Sequence, residues 1–173
     1  MKLTTKKNST TDFFKDIKYG KTGEQIFQED FLKFLRINFI NVTGVQAFQV
    51  IDSDFVTTIG RYEIKLNYKD DKQIIIEEYT NIEKKFGAIS FGWFYKTKAD
   101  LLVFISKKTN VMILLPFTDD FKNHYEQIKS EYELRKNRVS VNRQTESKWQ
   151  SAFRRIPLSS MSGFFSYYKR INT

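Results

Sequence analysis

Two short apolar runs in the second half of the chain limit its fold more than any other feature. Asp100 to Ser106 and Val111 to Pro116 are wholly apolar between their end residues, and only four residues separate them. Runs of this length are too short for a membrane span and are typical of strands buried on both faces. We therefore expect a sheet with further layers on each side.

Helices are predicted before and after these strands. Thr22-Gly23-Glu24-Gln25 has the form of a capping box, and the phenylalanines behind it recur at helical spacing. This pattern predicts a helix that runs to about Phe39. Asp119 or Asp120 is expected to cap a last helix that runs to about Arg138.

Strands are predicted between the two helices. Val45 to Ile51 is expected to form a strand that ends at Asp52-Ser53-Asp54. Ile59 to Asn67 alternates between apolar and polar residues, which predicts a strand, and a polar turn leads from it into Gln73 to Tyr79 as a hairpin. The order of elements predicts an α/β (α+β) fold with a mixed central sheet and flanking helices.

Positive charge is concentrated at the two ends of the chain, whose net charge is +9. Residues 1–22 hold six lysines and two aspartates, and residues 134–173 hold nine basic residues and one glutamate. Basic ends suit a polyanion, and the aromatic residues among the C-terminal cations would stack on bases. The alternatives are a solvated lysine-rich surface and aromatics that pack the tail onto the core. We assign residues 1–138 to an α/β domain with a basic N-terminal arm. Residues 139–173 form a basic aromatic extension, and the alternative is that this extension belongs to the same structural domain.

The composition leaves carboxylates, lysines and a divalent ion as the means of catalysis. The chain has no cysteine and one histidine, which excludes a thiolate zinc site, a cysteine nucleophile and a multi-histidine metal site. Glu63 and Lys65 lie two apart on a predicted strand and so share a face, and Asp54 can reach the same neighbourhood. Two such carboxylates would hold Mg²⁺, while Lys65 would orient or deprotonate an attacking water. Glu24, near the start of the first helix, could point toward a second ion.

Each of these residues also has a structural interpretation. Glu63 and Lys65 can form an ion pair on a solvated sheet face, and a carboxylate such as Glu24 is favoured in the first turn of a helix by the helix dipole. As an ordered set on helix, strand end and strand, they favour a site.

The order Glu24, Asp54, Glu63-Ile64-Lys65 resembles the PD-(D/E)XK nuclease superfamily, and within it phage endonuclease I and Holliday-junction resolvase-like nucleases. The stretch from Gly92 to Asp100 is similar to segments of small phage-encoded members. The resemblance implies a core of order αβββαβ and Mg²⁺-dependent phosphodiester hydrolysis, with Mn²⁺ as a substitute. It implies Asp54, Glu63 and the carbonyl of Ile64 as ligands, Lys65 acting on water, and Glu24 at a second metal. The leading Pro-Asp dipeptide of the superfamily is absent, and Asp52 is the alternative to Asp54.

The predicted function is a metal-dependent DNA endonuclease that cuts branched DNA, as phage-encoded resolvase-like nucleases do, and the resemblance implies a homodimer. The alternatives are a sequence-specific restriction-type endonuclease and a non-catalytic nucleic-acid-binding protein on the same fold. No membrane segment or secretory signal is recognisable, which predicts a cytoplasmic protein. The residues predicted to contact DNA are Lys96, Lys98, Arg143, Arg154 and Arg155.

Overall fold

The computed structural model describes residues 11–12, 21–33, 35–43, 45–49, 53–67, 72–106, 108–109, 111–141, 145–164 and 167–170. These residues form a mixed α/β fold with three sheets and few helices. The strands are β1 (Thr11–Asp12), β2 (Phe39–Asn41), β3 (Phe55–Thr57), β4 (Gly60–Asn67), β5 (Gln73–Asn81), β6 (Ser90–Phe91), β7 (Leu101–Ser106), β8 (Val111–Pro116), β9 (Arg135–Lys136), β10 (Ser140–Val141), β11 (Lys148–Trp149), β12 (Ala152–Pro157) and β13 (Tyr167–Arg170). The helices are α1 (residues 21–27), α2 (Gln46–Gln49), α3 (Trp93–Lys96) and α4 (Asp119–Ile128), with a π-helical turn at Gln28–Lys33 and 3₁₀ turns at Lys84–Phe86, Lys129–Glu131 and Leu158–Met161.

The central sheet has six strands in the order β13-β8-β7-β4-β3-β2. It is mixed, because β4 and β7 run parallel while the other neighbours run antiparallel. The predicted strands β4, β7 and β8 are confirmed. The predicted hairpin between β4 and β5 is wrong. The hairpin is instead formed by β3 and β4, whose turn ends at Gly60, and the other edge of β4 pairs with β7. The apolar run of β7 is buried almost throughout, so it requires a place in the sheet interior beside β4.

A second sheet has four strands in the order β6-β5-β12-β9, and a third sheet joins β1, β10 and β11. The longest pairing in the second sheet is that of β5 with β12, from Tyr79 beside Ala152 to Gln73 beside Pro157. The strand β13 lies at the edge of the central sheet against β8. Residues 135–170 therefore supply strands to all three sheets.

Apolar side chains cover both faces of the central sheet. On one face α1 and its π turn bury Phe27 and Leu32 against Tyr62 and Ile64 of β4. On the other face α3, α4 and the second sheet bury Trp93 and a larger set of side chains, which comprises Ile74, Ile76, Phe94, Leu102, Phe104, Val111, Ile113, Leu115, Phe117, Phe121, Tyr125, Ile156 and Met161. Burial of each large apolar side chain contributes about 1.5–3 kcal/mol. These two faces are called the α1 face and the α3 face below.

The first helix ends earlier than predicted, and its end differs in kind. Residue 21 is already helical, so Thr22 lies inside the helix and does not cap it. The π turn adds a residue to the helical repeat, which brings Leu32 into the core and leaves Leu35 48% exposed. Arg36 then takes a positive φ of 55°, and the chain continues into β2, where Phe39 belongs to a strand.

Two other predicted elements are also corrected. Residues 46–49, expected to be a strand, form the helical turn α2, whose glutamines and alanine are good helix formers. The last helix begins after Thr118, whose hydroxyl accepts from the amide of Phe121, and it ends near residue 131 because Arg135–Lys136 pairs with β12. Among the described residues, no helix is long and apolar enough to cross a membrane.

Candidate metal and nucleic-acid site

Asp54 lies at the start of β3, not at the end of a preceding strand. Its backbone extends the β-ladder, because its amide donates to the carbonyl of Tyr62 at 2.8 Å and its carbonyl accepts from the amide of Val42 at 2.9 Å. Its Oδ2 accepts a hydrogen bond from the amide of Ile64 at 2.8 Å. This contact holds the carboxylate against β4, one residue from Glu63. The alternative ligand, Asp52, lies outside the described residues.

Glu24 approaches Asp54 from α1. The helix can lie close to β4 because Gly23 has no side chain, and a Cβ there would stand 3.2 Å from the Cβ of Leu66. Oε2 of Glu24 accepts from the hydroxyl of Thr43 at 3.1 Å, and the same hydroxyl lies 3.4 Å from the carbonyl of Asp54. Burial, and after it the negative charge of Asp54, raise the pKa of Glu24. The two carboxylates therefore repel each other, and a divalent cation would relieve that repulsion.

Glu63 and Lys65 form an ion pair within β4. Nζ of Lys65 donates to Oε1 of Glu63 and lies 5.1 Å from the ring centroid of Trp93. The prediction that the two side chains share a face is confirmed, but that face is not solvated. The side chain of Glu63 is 6% exposed and that of Lys65 is 27% exposed. The pair therefore lies at the margin of the core beside α3, where an ammonium can keep one orientation.

The four predicted catalytic residues meet around one stretch of β4 but from opposite sides. Glu63 stands beside Leu102 and Lys65 beside Phe104 in the register of β4 and β7, which places both on the α3 face. Glu24 comes from the helix on the α1 face. The carboxylate of Asp54 contacts the backbone between these two groups.

The donor set fits a magnesium site with few protein ligands. Among the described residues, no three acidic, histidine or cysteine side chains are placed to hold a metal ion together. Mg²⁺ is usually bound through one or two carboxylates and several waters, so Glu24 and Asp54 suffice for such a site. Glu63 and the carbonyl of Ile64 remain predicted ligands.

The residues predicted to bind nucleic acid fall in different environments. Lys96, at the end of α3, and Lys98 are exposed. Arg154 instead donates from Nε to Oε1 of Glu78 at 2.6 Å, and its side chain is 15% exposed. Arg155 lines an open cleft of about 440 Å³ together with Arg135 and Tyr132. Arg143 lies outside the described residues.

Sequence reasoning did not predict the contacts of three residues in this region. Thr43 bridges Glu24 and the backbone of Asp54, but no pattern marks a single threonine in a connecting segment. Trp93 packs against the ammonium of Lys65. This contact joins two segments that are distant in sequence, so predicting it would have required knowledge of how the strands are ordered. Glu78, 3% exposed, holds Arg154 inside the fold. The sequence pattern of β5 shows on which face Glu78 lies, but it is the same whether solvent or protein covers that face.

The comparisons with known proteins give one structural likeness. No protein-family model and no curated protein matches the sequence. Among solved structures, the chain is similar to a bacterial homing endonuclease, I-Ssp6803I, with 15% sequence identity and a TM-score of 0.41. The likeness covers 58% of this chain and 68% of that chain. At this identity and TM-score the likeness does not assign an activity, which has to be argued from the side chains.

Proposed function

We propose that this chain is a metal-dependent DNA endonuclease that hydrolyses phosphodiester bonds in branched DNA and works as a homodimer. The observation that carries the proposal is the position of the Asp54 carboxylate. It repels Glu24, and it accepts a hydrogen bond from the amide of Ile64, the residue between Glu63 and Lys65. The order of these residues is that of the PD-(D/E)XK superfamily, and we propose a core of that type around β3, β4 and β7. The basic ends of the chain suit the phosphates of DNA.

Glu24 and Asp54 would hold Mg²⁺ on the α1 side of β4. When bound, the ion would polarise the scissile phosphate and lower the pKa of a coordinated water. Thr43 would hold Glu24 in place, and the amide of Ile64 would fix Asp54. Lys65, oriented by Glu63 and by the ring of Trp93, would direct its ammonium toward a phosphate oxygen of DNA on the α3 face, opposite to Glu24.

A second candidate function is nucleic-acid binding without cleavage. The observation that favours it is the Glu63–Lys65 pair, which neutralises both charges on the face away from Glu24. The presence of Glu63 and Lys65 then needs no catalytic explanation, because each charge is neutralised by the other within the strand. The two functions differ in one measurable respect, which is turnover in the presence of a metal ion.

The test is a cleavage assay on a four-way junction, on its four linear arms and on a single strand, with Mg²⁺ or Mn²⁺ at matched salt. We expect paired cuts in the junction, which Asp54→Asn and Glu63→Gln abolish while DNA binding survives. Lys65→Ala is expected to lose most of the rate. The control is Glu131→Gln, which removes an exposed carboxylate remote from β4 and is expected to cut like the parent.

The possible outcomes separate the alternatives. Cutting of the linear arms at one fixed sequence would favour the restriction-type enzyme, because base-edge contacts are then required. Binding without cutting in either metal would favour the non-catalytic function. Near-normal cleavage by Asp54→Asn would refute the metal site, and near-normal cleavage by Glu63→Gln would refute the role of Glu63 in orienting Lys65.

A further inference from the structure

Three aromatic rings form a row that runs from the second sheet onto α3, at some distance along the chain from the metal site. The row consists of Tyr79, Phe91 and Tyr95 and is called the aromatic strip. Tyr79 and Phe91 are stacked with ring centroids 6.0 Å apart and an interplanar angle of 27°, and the edge-to-face pair of Phe91 and Tyr95 has centroids 5.3 Å apart. Phe91 is 57% exposed and Tyr95 is 40% exposed. Aromatic rings are costly to expose, so such a row indicates a binding surface.

The strip is held rigidly by the backbone beneath it. Tyr79 and Phe91 are directly opposite each other in the pairing of β5 with β6. At Gly92 a Cβ would stand 2.4 Å from the carbonyl oxygen of Glu77, so only glycine lets the chain pass from β6 into α3 here. The hydroxyl of Tyr95 donates to Glu126 at 2.8 Å, which anchors the ring to α4. The rings therefore keep their order without a ligand, and binding costs little conformational entropy.

The segment of chain that carries the strip is positively charged. Residues 79–98 contain four lysines and one glutamate, and that glutamate, Glu83, is paired with Lys136. The lysines are exposed. A fifth, Lys129, lies 5.8 Å from the ring centroid of Tyr95 and is paired with Glu126, which also accepts from the Tyr95 hydroxyl. The lysines in residues 79–98 are Lys84, Lys85, Lys96 and Lys98.

We propose that the aromatic strip binds unpaired bases of a single-stranded DNA segment, with the surrounding lysines on its phosphates. Flat bases stack on exposed aromatic rings with little regard to sequence, while the cations follow the backbone. In a duplex the base faces are already stacked, so the strip can engage only strands that are open. The inference rests on the proposed function in that DNA is the ligand. It extends that function by naming branched DNA that carries an unpaired strand, such as a flap, as the substrate that the strip recognises.

The test measures binding in EDTA, where metal-dependent cleavage cannot occur. The probe is a labelled oligothymidylate of about 16 nucleotides, and the comparison probes are an abasic strand of the same length and a blunt duplex. Phe91→Ala is expected to weaken oligothymidylate binding by about 5- to 150-fold, the range for one lost base–aromatic stack. Phe91→Trp is expected to retain binding, because it keeps a stacking ring. Binding of the abasic strand and of the duplex should not change.

Ile89→Ala is the matched control, because Ile89 is 48% exposed beside the same strand but has no ring. It is expected to leave oligothymidylate affinity within twofold of the parent. An equal loss in Ile89→Ala and Phe91→Ala, or an equal effect on the abasic strand, would overturn base stacking. Unchanged oligothymidylate affinity together with a changed oligomeric state in Phe91→Ala would identify the strip as a contact between copies of the chain and would overturn the proposal.

The outcome is separable from that of the cleavage assay. If the metal-site variants cut like the parent but Phe91→Ala loses single-strand affinity, the nuclease site is refuted and the aromatic strip stands. If Phe91→Ala binds oligothymidylate like the parent while Asp54→Asn abolishes cleavage, the strip is refuted and the nuclease site stands.

Discussion

Removal of the guanidinium of Arg154 is expected to destabilise the fold rather than to weaken DNA binding alone. Glu78 is 3% exposed, and its Oε1 accepts from Nε of Arg154 at 2.6 Å and from the hydroxyl of Tyr125 at 2.5 Å. Arg154→Met keeps the apolar stem but leaves the buried carboxylate without its cation. Loss of one partner of a buried ion pair costs about 3–5 kcal/mol. At about 2–4 °C per kcal/mol for a chain of this size, the Tm falls by about 6–20 °C.

The measurement is thermal unfolding followed by circular dichroism, with the neighbouring arginine as the control. Arg155 has no ion pair among the described residues, so Arg155→Met is expected to change the free energy of unfolding by less than about 0.5 kcal/mol. The double variant Arg154→Met/Glu78→Leu should recover part of the loss, because it removes the uncompensated charge as well. A Tm of Arg154→Met within about 2 °C of the parent would refute the assignment of this arginine to the interior.

Two further predictions concern the metal site and a backbone contact. Glu24→Gln should stabilise the metal-free protein at neutral pH, because it removes a partly buried carboxylate charge that repels Asp54. Because folding raises the pKa of Glu24, protonated Glu24 stabilises the parent below the unfolded-state pKa. This contribution is lost as the pH rises through the higher folded-state pKa. The stability gained by Glu24→Gln should therefore vanish near pH 4. Thermal melts at pH 4 and pH 7 measure this pH dependence, and an equal gain in stability at both pH values would contradict it. In a separate melt with Mg²⁺, Glu24→Gln should lose any increase in Tm that the ion gives the parent. Gly92→Ala should cost about 1–3 kcal/mol or more, because its Cβ meets the backbone of Glu77, and urea unfolding with an unchanged midpoint would count against this contact.

Three of the six strands of the central sheet, β4, β7 and β8, were predictable because their patterns are local. The continuous apolar runs of β7 and β8 and the alternation of β4 each follow from burial, and all three are confirmed. Their partners were not predictable from the same signals. The hairpin of β4 with β5 looked favourable in sequence, but β5 pairs with β12 near the other end of the chain, and no local pattern encodes that pairing.

The candidate site was predictable in its residue types but not in its arrangement. The alternation along β4 correctly placed Glu63 and Lys65 on one face, since that depends only on the period of a strand. It could not show that α3 covers this face, because the covering layer comes from a segment without clear periodicity. Arg154 and Arg155 illustrate the same limit. Two adjacent arginines are equivalent in composition, and only the position of Glu78 on β5 assigns one of them to the interior.

The pairing of β12 with β5 has a consequence for how the protein matures during synthesis. Arg154 and Glu78 are 76 residues apart in the chain, and β13 closes the edge of the central sheet later still. Neither sheet can be completed on the ribosome until residues 152–170 have emerged. Contacts this distant in sequence also form slowly, because the loop between them must close first. A nascent chain that stops before β12 therefore leaves β5 paired only with the short strand β6 and uncovers part of the apolar α3 face, so it becomes a client of chaperones and proteases rather than a partly active protein.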